Sequence, residues 1–269
     1  YEILRCLVGS EMCIRDRGVK VGSRIISLAN GPRFIAAKRS DRSMDQFYNH
    51  DDKEAEKKKT QYTTFDDAGR FTGFTVREEG NNVVVTANYK LGCFDQAVWT
   101  IAPDGTAAID FTYNFSGVVD LMGVMFDYPE DKVLSKRWVG DGPYRVWQNR
   151  LHGPQLGVWE NEYNDPIPAE SFTYPEFKGY FANVQWMTLK TQEGTISICN
   201  RTPQNYVGVY QPRDGRDGLL YTFPATGISL MKVIPPVRNK VNTTDLIGPS
   251  SQAFWADGAY GGSITLKFE

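Results

Sequence analysis

FTGFTVREEGNNVVVTANYKLGCFDQAVWTIAPDGTAAIDFTYNF, residues 71–115, carries the pattern that decides the fold. It consists of strand-like runs in which apolar and polar residues alternate, which is typical of strands that bury one face. Gly80, Asn81 and Asn82 separate the first two runs, and Asp104-Gly105 separates the last two. Such residues are the usual turns of β-hairpins. The stretch therefore predicts two consecutive antiparallel hairpins.

The rest of the chain repeats this pattern, with turn residues at regular short intervals. Further strand-like runs are RIISLAN, GPRFIAA, VMFDYP, GTISICN, YVGVYQP and GSITLKF. Helical periodicity is scarce, and its best candidate, residues 43–59, is mostly polar. We therefore predict an all-β fold, a large antiparallel supersandwich forming a single domain over residues 18–269. Residues 44–64 are predicted to be a polar insertion or long loop.

Residues 1–17, YEILRCLVGSEMCIRDR, do not resemble the remainder of the chain. Charged residues interrupt any apolar core that a signal peptide would need. The segment resembles a translated sequencing adapter, and we interpret it as non-native. On this interpretation the gene was cut at a contig edge, as in a metagenomic fragment, and the native sequence starts near Gly18 as the C-terminal part of a longer protein.

Composition excludes several classes of function. The net charge is −2 and the isoelectric point is near 5.8, so nucleic acid and acidic membrane surfaces are not expected partners. No apolar run is long enough for a membrane helix. Cys93 and Cys199 lie far apart and outside any metal-binding spacing, so no metal or other cofactor is predicted. A periplasmic or secreted parent is slightly favoured over a cytoplasmic one.

Residues 138–186 contain four of the six tryptophans of the chain, interleaved with charged residues and with Gly and Pro. Aromatic rings beside fixed hydrogen-bonding groups suit a surface that stacks on a sugar and binds its hydroxyls. The same rings would equally fill the core of an all-β domain. The predicted carbohydrate-binding residues are Tyr144, Arg145, Trp147, Arg150, Trp159 and Trp255.

Each of these residues also has a structural interpretation. Arg145 and Arg150 would either bind a ligand bidentately, or instead stack on a tryptophan or pair with a nearby glutamate. Trp255 lies in FWADGAYGG, which we interpret as a Gly-rich loop. There the tryptophan would either cover a site or close one end of the sandwich.

Acid–base residues form no catalytic signature. His152, Glu160 and Glu176 are the weak catalytic candidates, and nucleophile, phosphate-loop and dinucleotide motifs are absent. If residues 160–162 are extended, Glu160 and Glu162 lie on the same face of a strand. That is the pattern of a carboxylate pair for glycoside hydrolysis, and also of a solvated strand face.

Four stretches together resemble a known family. They are SLANGPRFIAA, WVGDGPYRVWQNR, GISLMKVIPP and the closing GSITLKF. The second contains a Gly-x-Gly-Pro turn followed downstream by Arg150. Together they are similar to the C-terminal β-sandwich of glycoside hydrolase family 2 β-galactosidases. The resemblance spans residues 18–269. Tyr144 stands where that family commonly has a histidine, and the family's rim tryptophan has no matching position here.

The resemblance implies a galactose-mutarotase-like sandwich that follows a catalytic (β/α)₈ barrel carrying two glutamates. It also implies that the chain shapes a site for β-galactosides or related glycans, and is inactive alone. An aldose epimerase of the same fold, with His152 and Glu160 or Glu176 as acid and base, is the first alternative. A stand-alone carbohydrate-binding module is the second.

Overall fold

A computed structural model describes residues 18–21, 23–39, 62–65, 69–162, 179–210, 223–236 and 252–269. The strands within these ranges are β1 Val19–Val21, β2 Arg24–Ile26, β3 Ala29–Arg39, β4 Tyr62–Phe65, β5 Arg70–Glu79, β6 Asn82–Lys90, β7 Phe94–Ile101, β8 Ala107–Val119, β9 Leu121–Asp127, β10 Val133–Gly142, β11 Gln155–Glu162, β12 Trp186–Thr191, β13 Gly194–Asn200, β14 Tyr206–Tyr210, β15 Gly227–Val233 and β16 Phe254–Phe268. A 3₁₀ turn, Glu130–Lys132, precedes β10. No α-helix occurs in the described ranges.

The described strands form three antiparallel sheets. The large sheet has nine strands in the order β11-β10-β12-β13-β16-β8-β7-β6-β5, and a second has five in the order β14-β15-β9-β3-β4. β1 and β2 form a separate pair. The predicted hairpins are β5–β6, with Glu79 opposite Asn82, and β7–β8, with Ile101 opposite Ala107. The prediction of an all-β antiparallel sandwich is therefore confirmed.

The main core lies between the two larger sheets. Strand residues of the large sheet, such as Trp99, Ile109 and Trp138, are fully buried there against Val124 and Leu230 of the five-stranded sheet. Alternation along β8 places one face in this core and exposes the other. The outer face of the large sheet is thus available at the surface of the described structure.

The five-stranded sheet is buried on both faces. A second cluster packs Leu121 and Met231 of this sheet beneath Val146, Trp147 and Tyr180. All six residues from Leu121 to Phe126 in β9 are consequently buried. This explains why LMGVMF is continuously apolar, since a strand covered on both faces does not alternate.

Strand β16 corrects the predicted loop at FWADGAYGG. These residues open a 15-residue strand that pairs with β8 from Phe254 opposite Val119 onward. Its glycines had indicated a loop, but at Gly262 a Cβ would come within 2.7 Å of the Phe111 ring. The glycine therefore permits close packing within a strand.

The predicted insertion at residues 44–64 falls only partly on described residues. The last part of the predicted insertion belongs to β4, which pairs with β3 through Tyr62 opposite Arg39. Residues 44–61 and 1–17 lie outside the described residues. Cys93 and Cys199 are not joined in a disulfide.

Candidate functional site

Strand registers place most of the predicted site at one end of the large sheet. β10 runs towards this end and finishes at Gly142, opposite Gln155 at the start of β11. Val139 lies level with Trp186 in β12, which lies opposite Cys199 in β13. Residues 143–154 therefore connect β10 to β11 at this end, and they hold Tyr144, Arg145, Arg150 and His152.

Strand β16 reaches the same end from the middle of the sheet. Cys199 is opposite Thr265, and from there β16 extends back to Phe254 beyond the end of β13. Three strand spacings separate β10 from β16, a lateral distance of about 14 Å, and Trp255 lies a further seven strand positions, about 23 Å, beyond the level of Gly142. Trp255 and Tyr144 therefore stand towards the same end of the sheet, but not side by side. We call residues 143–154 with residues 254–257 the rim.

The aromatic side chains of the rim differ sharply in exposure. Trp255 is 70% exposed and Tyr144 is 49% exposed, so each presents ring surface to solvent. Trp147 is fully buried, and its ring packs 4.9 Å from that of Phe223 and 5.9 Å from that of Tyr180. In this arrangement Trp147 has no ring face for a sugar and serves the second core.

Trp159 explains the second glycine of the Gly-x-Gly-Pro turn. Its indole lies against Gly142, where a Cβ would come within 2.5 Å of the ring. Its Nε1 donates to the carbonyl oxygens of Gly140 and Gln155, each at 3.2 Å. The ring therefore fastens the β10–β11 hairpin at the rim, and it is partly buried there.

The arginines of the connection have separate environments. The guanidinium of Arg145 lies over the Phe181 ring, 5.3 Å from its centre, whereas the predicted structural alternative was stacking on a tryptophan. Arg150 is exposed, and its carbonyl oxygen accepts a long hydrogen bond from the Trp147 amide at 3.4 Å. Arg150 is therefore the more accessible of the two for a ligand.

The catalytic candidates are not assembled as an acid–base pair. His152 is exposed in the connection, whereas Glu160 lies on the outer face of β11 and pairs with Arg137 at 3.7 Å. Glu160 and Glu162 do share one exposed face, as the strand pattern predicted. Glu176 lies outside the described residues.

The part of the chain that the structure describes contains no group of three or more His, Cys, Asp or Glu side chains arranged to hold a metal ion. None of its described segments is a helix long and apolar enough to cross a membrane.

Sequence reasoning left Trp186 out of the site, although the structure exposes it. Trp186 is 36% exposed on the outer face of β12 and borders a surface pocket of about 200 Å³ with Arg137 and Glu160. The alternation of WMTLKT, with Met187 and Leu189 buried, was the signal that could have placed this ring outward.

Comparisons with solved structures find similar folds at low identity. The galactose 1-epimerase from Lactobacillus acidophilus NCFM is 10% identical, with a TM-score of 0.43, and covers 97% of this chain and 83% of its own. The GalM/aldose epimerase homologue from C. elegans is 10% identical, with a TM-score of 0.32, and covers 74% of this chain and 69% of its own. Similarity at this level adds nothing to the argument about function.

No curated protein matches the chain. The model of one family, described as beta galactosidase small chain, matches residues 21–228, well over half of the 269 residues. The matched range contains both hairpins, the Gly-x-Gly-Pro turn and Trp186. The chain accordingly belongs to the beta-galactosidase small chain family.

Proposed function

We propose that this chain is the C-terminal sandwich of a glycoside hydrolase family 2 enzyme of the β-galactosidase type. The family match over residues 21–228 is the observation that carries the proposal. In the proposed enzyme, a preceding barrel supplies the two catalytic carboxylates, and this chain supplies part of the rim of the sugar site. The parent enzyme hydrolyses terminal β-glycosides, with a β-galactoside or related glycan as substrate.

The geometry of the rim supports this role. Trp255 and Tyr144 expose ring surface towards the same end of the large sheet, and Arg150 is exposed in the same connection as Tyr144. Exposed rings with nearby hydrogen-bond donors suit the apolar face and the hydroxyls of a sugar. Two carboxylates of β10 and β11 instead serve local pairs: Asp141 accepts from Asn183 at 2.7 Å, and Glu160 pairs with Arg137. We therefore assign substrate contact to this chain and leave the chemistry to the barrel.

The first experiment extends the gene upstream of Gly18 in the source DNA and expresses the complete reading frame. We expect a barrel with two suitably placed glutamates, and hydrolysis of 2-nitrophenyl β-galactoside by the complete enzyme. The 269-residue chain alone should show no turnover. Robust turnover by the chain alone would contradict the proposal, as would an upstream region that encodes no barrel.

The rim is tested in the complete enzyme. Trp255→Ala and Tyr144→Ala should each raise KM for the nitrophenyl galactoside several-fold while folding is unchanged, because both side chains are exposed. The matched control is Ile25→Ala, an exposed apolar residue of β2. Equal effects of all three changes would show that the rim has no special role.

The epimerase and binding-module alternatives are not better supported. An epimerase would need His152 and Glu160 or Glu176 on opposite sides of a sugar ring, and Glu160 is instead paired with Arg137. Polarimetry of galactose anomer interconversion by the chain and by its His152→Ala variant tests that alternative directly.

A further inference from the structure

The outer face of the large sheet carries an ordered patch where β11, β10 and β12 pair. One cross-strand row joins Val158, Val139 and Trp186, and the next joins Glu160, Arg137 and Thr188. Strand alternation turns all six side chains to the same face, away from the core. We call these two rows the face patch.

The first row is apolar and accessible. Trp186 is 36% exposed, and Val158 is more exposed still, with Val139 between them at the register position. An indole bordered by aliphatic side chains offers a flat apolar surface without the depth of a hydrophobic pocket. Such a surface matches the C–H face of a pyranose ring.

The second row offers hydrogen-bonding groups of both kinds. Arg137 is a donor, Glu160 is an acceptor and Thr188 is both, and all three line the pocket of about 200 Å³ with Trp186. Vicinal sugar hydroxyls donate to a carboxylate and accept from a guanidinium. The row therefore complements the polar edge of a sugar whose face rests on the first row.

The ion pair within this row does not block the patch. The Arg137 and Glu160 side chains are each 59% exposed and meet at 3.7 Å. Exposed pairs of this kind contribute little to stability, so hydroxyl groups can replace or bridge them. The Arg137 guanidinium also lies over the Trp186 ring, 6.0 Å from its centre, so a sugar that stacks there shares the ring with this donor.

The charges at the patch disfavour other ligands. Glu160 and the neighbouring Glu162 offset the cationic Lys136, Arg137 and Lys190 that line the same pocket. The net charge of the chain is −2, so no strong positive field draws nucleic acid or anionic lipid to the patch. A purely apolar protein contact would have to bury the Arg137–Glu160 row. A neutral glycan carries no charge, and it can bind while the Arg137–Glu160 row stays in contact with water.

From these observations we propose that the face patch is a second saccharide-binding site, which holds an additional sugar unit of a β-linked oligosaccharide. Val139 lies three residues before Gly142, so it is about 10 Å from the rim end of β10. A glycan chain whose terminal residue reaches the rim would extend along the outer face onto Trp186. This inference rests on the proposed function and narrows its substrate to oligosaccharides.

The test measures binding of β-1,4-galactotetraose to the 269-residue chain by titration calorimetry, with galactose as the short comparison. We expect the tetraose to bind more tightly than galactose, and Trp186→Ala to weaken tetraose binding by about tenfold. Glu160→Gln, which preserves size, should weaken it several-fold. Phe74→Ala, an exposed ring on the opposite edge strand β5, is the matched control and should leave binding unchanged.

Two results would overturn the inference. One is the absence of tetraose binding by the wild-type chain, and the other is tetraose binding that survives Trp186→Ala but is lost in Trp255→Ala. Neither bears on nitrophenyl galactoside hydrolysis by the complete enzyme, so failure of this inference and failure of the proposed function are distinguishable.

Discussion

At the residue scale, burial separates the aromatic residues of the segment 138–186 into two roles. Trp138 and Trp147 are fully buried, whereas Tyr144 and Trp186 present ring surface. The core interpretation therefore holds for the first two rings, and sugar binding stays a prediction for the exposed ones. Because aromatic side chains suit a core as well as a sugar, the residue type alone cannot divide them.

Trp147 gives the first prediction at this scale. Replacing it with alanine should lower the free energy of unfolding by about 3–5 kcal/mol, because a fully buried ring would leave a cavity. Urea unfolding followed by circular dichroism measures the loss. Tyr144→Ala, three residues earlier and half exposed, is the control and should change stability by no more than about 0.5 kcal/mol. Similar losses for both would contradict the burial of Trp147.

At the scale of elements, a clasp at the end of the large sheet opposite the rim joins three connections. Ser27 donates its hydroxyl to Glu193 at 2.6 Å and its amide at 2.8 Å. Lys132 pairs with the same carboxylate and donates to the Ser27 hydroxyl at 2.7 Å. The clasp thus ties the β2–β3 connection and the 3₁₀ turn to the β12–β13 hairpin.

Partial burial raises the pKa of Glu193, but the hydrogen bonds from Lys132 and Ser27 outweigh it, so the pKa lies below its usual 4.5. A carboxyl with a lowered native pKa stabilises the fold above its ordinary pKa, and this contribution is lost as the pH falls through the native pKa. We expect Glu193→Gln to cost on the order of 1–2 kcal/mol at pH 7.

The measurement is urea unfolding of wild type and Glu193→Gln from pH 7 down to pH 3. The difference between the two proteins should be full at neutral pH and should shrink as the pH falls below 4.5. Glu79→Gln is the control, since Glu79 pairs with Arg77 at an exposed site. A difference that is constant across the range would show that the clasp acts by packing alone.

At the scale of the whole molecule, one core joins both larger sheets. The cluster between them draws residues from Val19 to Leu266, and the second cluster covers the other face of the five-stranded sheet. We predict that residues 18–269 unfold as a single unit, because neither larger sheet retains its buried face alone.

Thermal unfolding followed in parallel by far-ultraviolet circular dichroism and by tryptophan fluorescence tests this prediction. The tryptophans report on both clusters, through Trp99 and Trp138 in one and Trp147 in the other. Coincident transitions are expected. A fluorescence transition that precedes the loss of strand signal would indicate that the second cluster unfolds independently.

The amino-acid sequence by itself determined the all-β class and both hairpins of residues 71–115, because alternation and turn residues are local properties. It also indicated the family, through the Gly-x-Gly-Pro turn near Tyr144. It misplaced the start of β16, because glycine signals a loop unless a facing ring such as Phe111 occupies the space of a side chain.

Only the tertiary structure decided which rings belong to the core and which face outward. Trp147 is buried because a second layer covers the five-stranded sheet, and Trp186 is exposed because the outer face of the nine-stranded sheet has no such cover among the described residues. The rim and the face patch likewise arise from strand order and register, which bring β10, β12 and β16 together from distant parts of the chain. Pairing between distant strands depends on the packed whole, so local sequence patterns do not contain it.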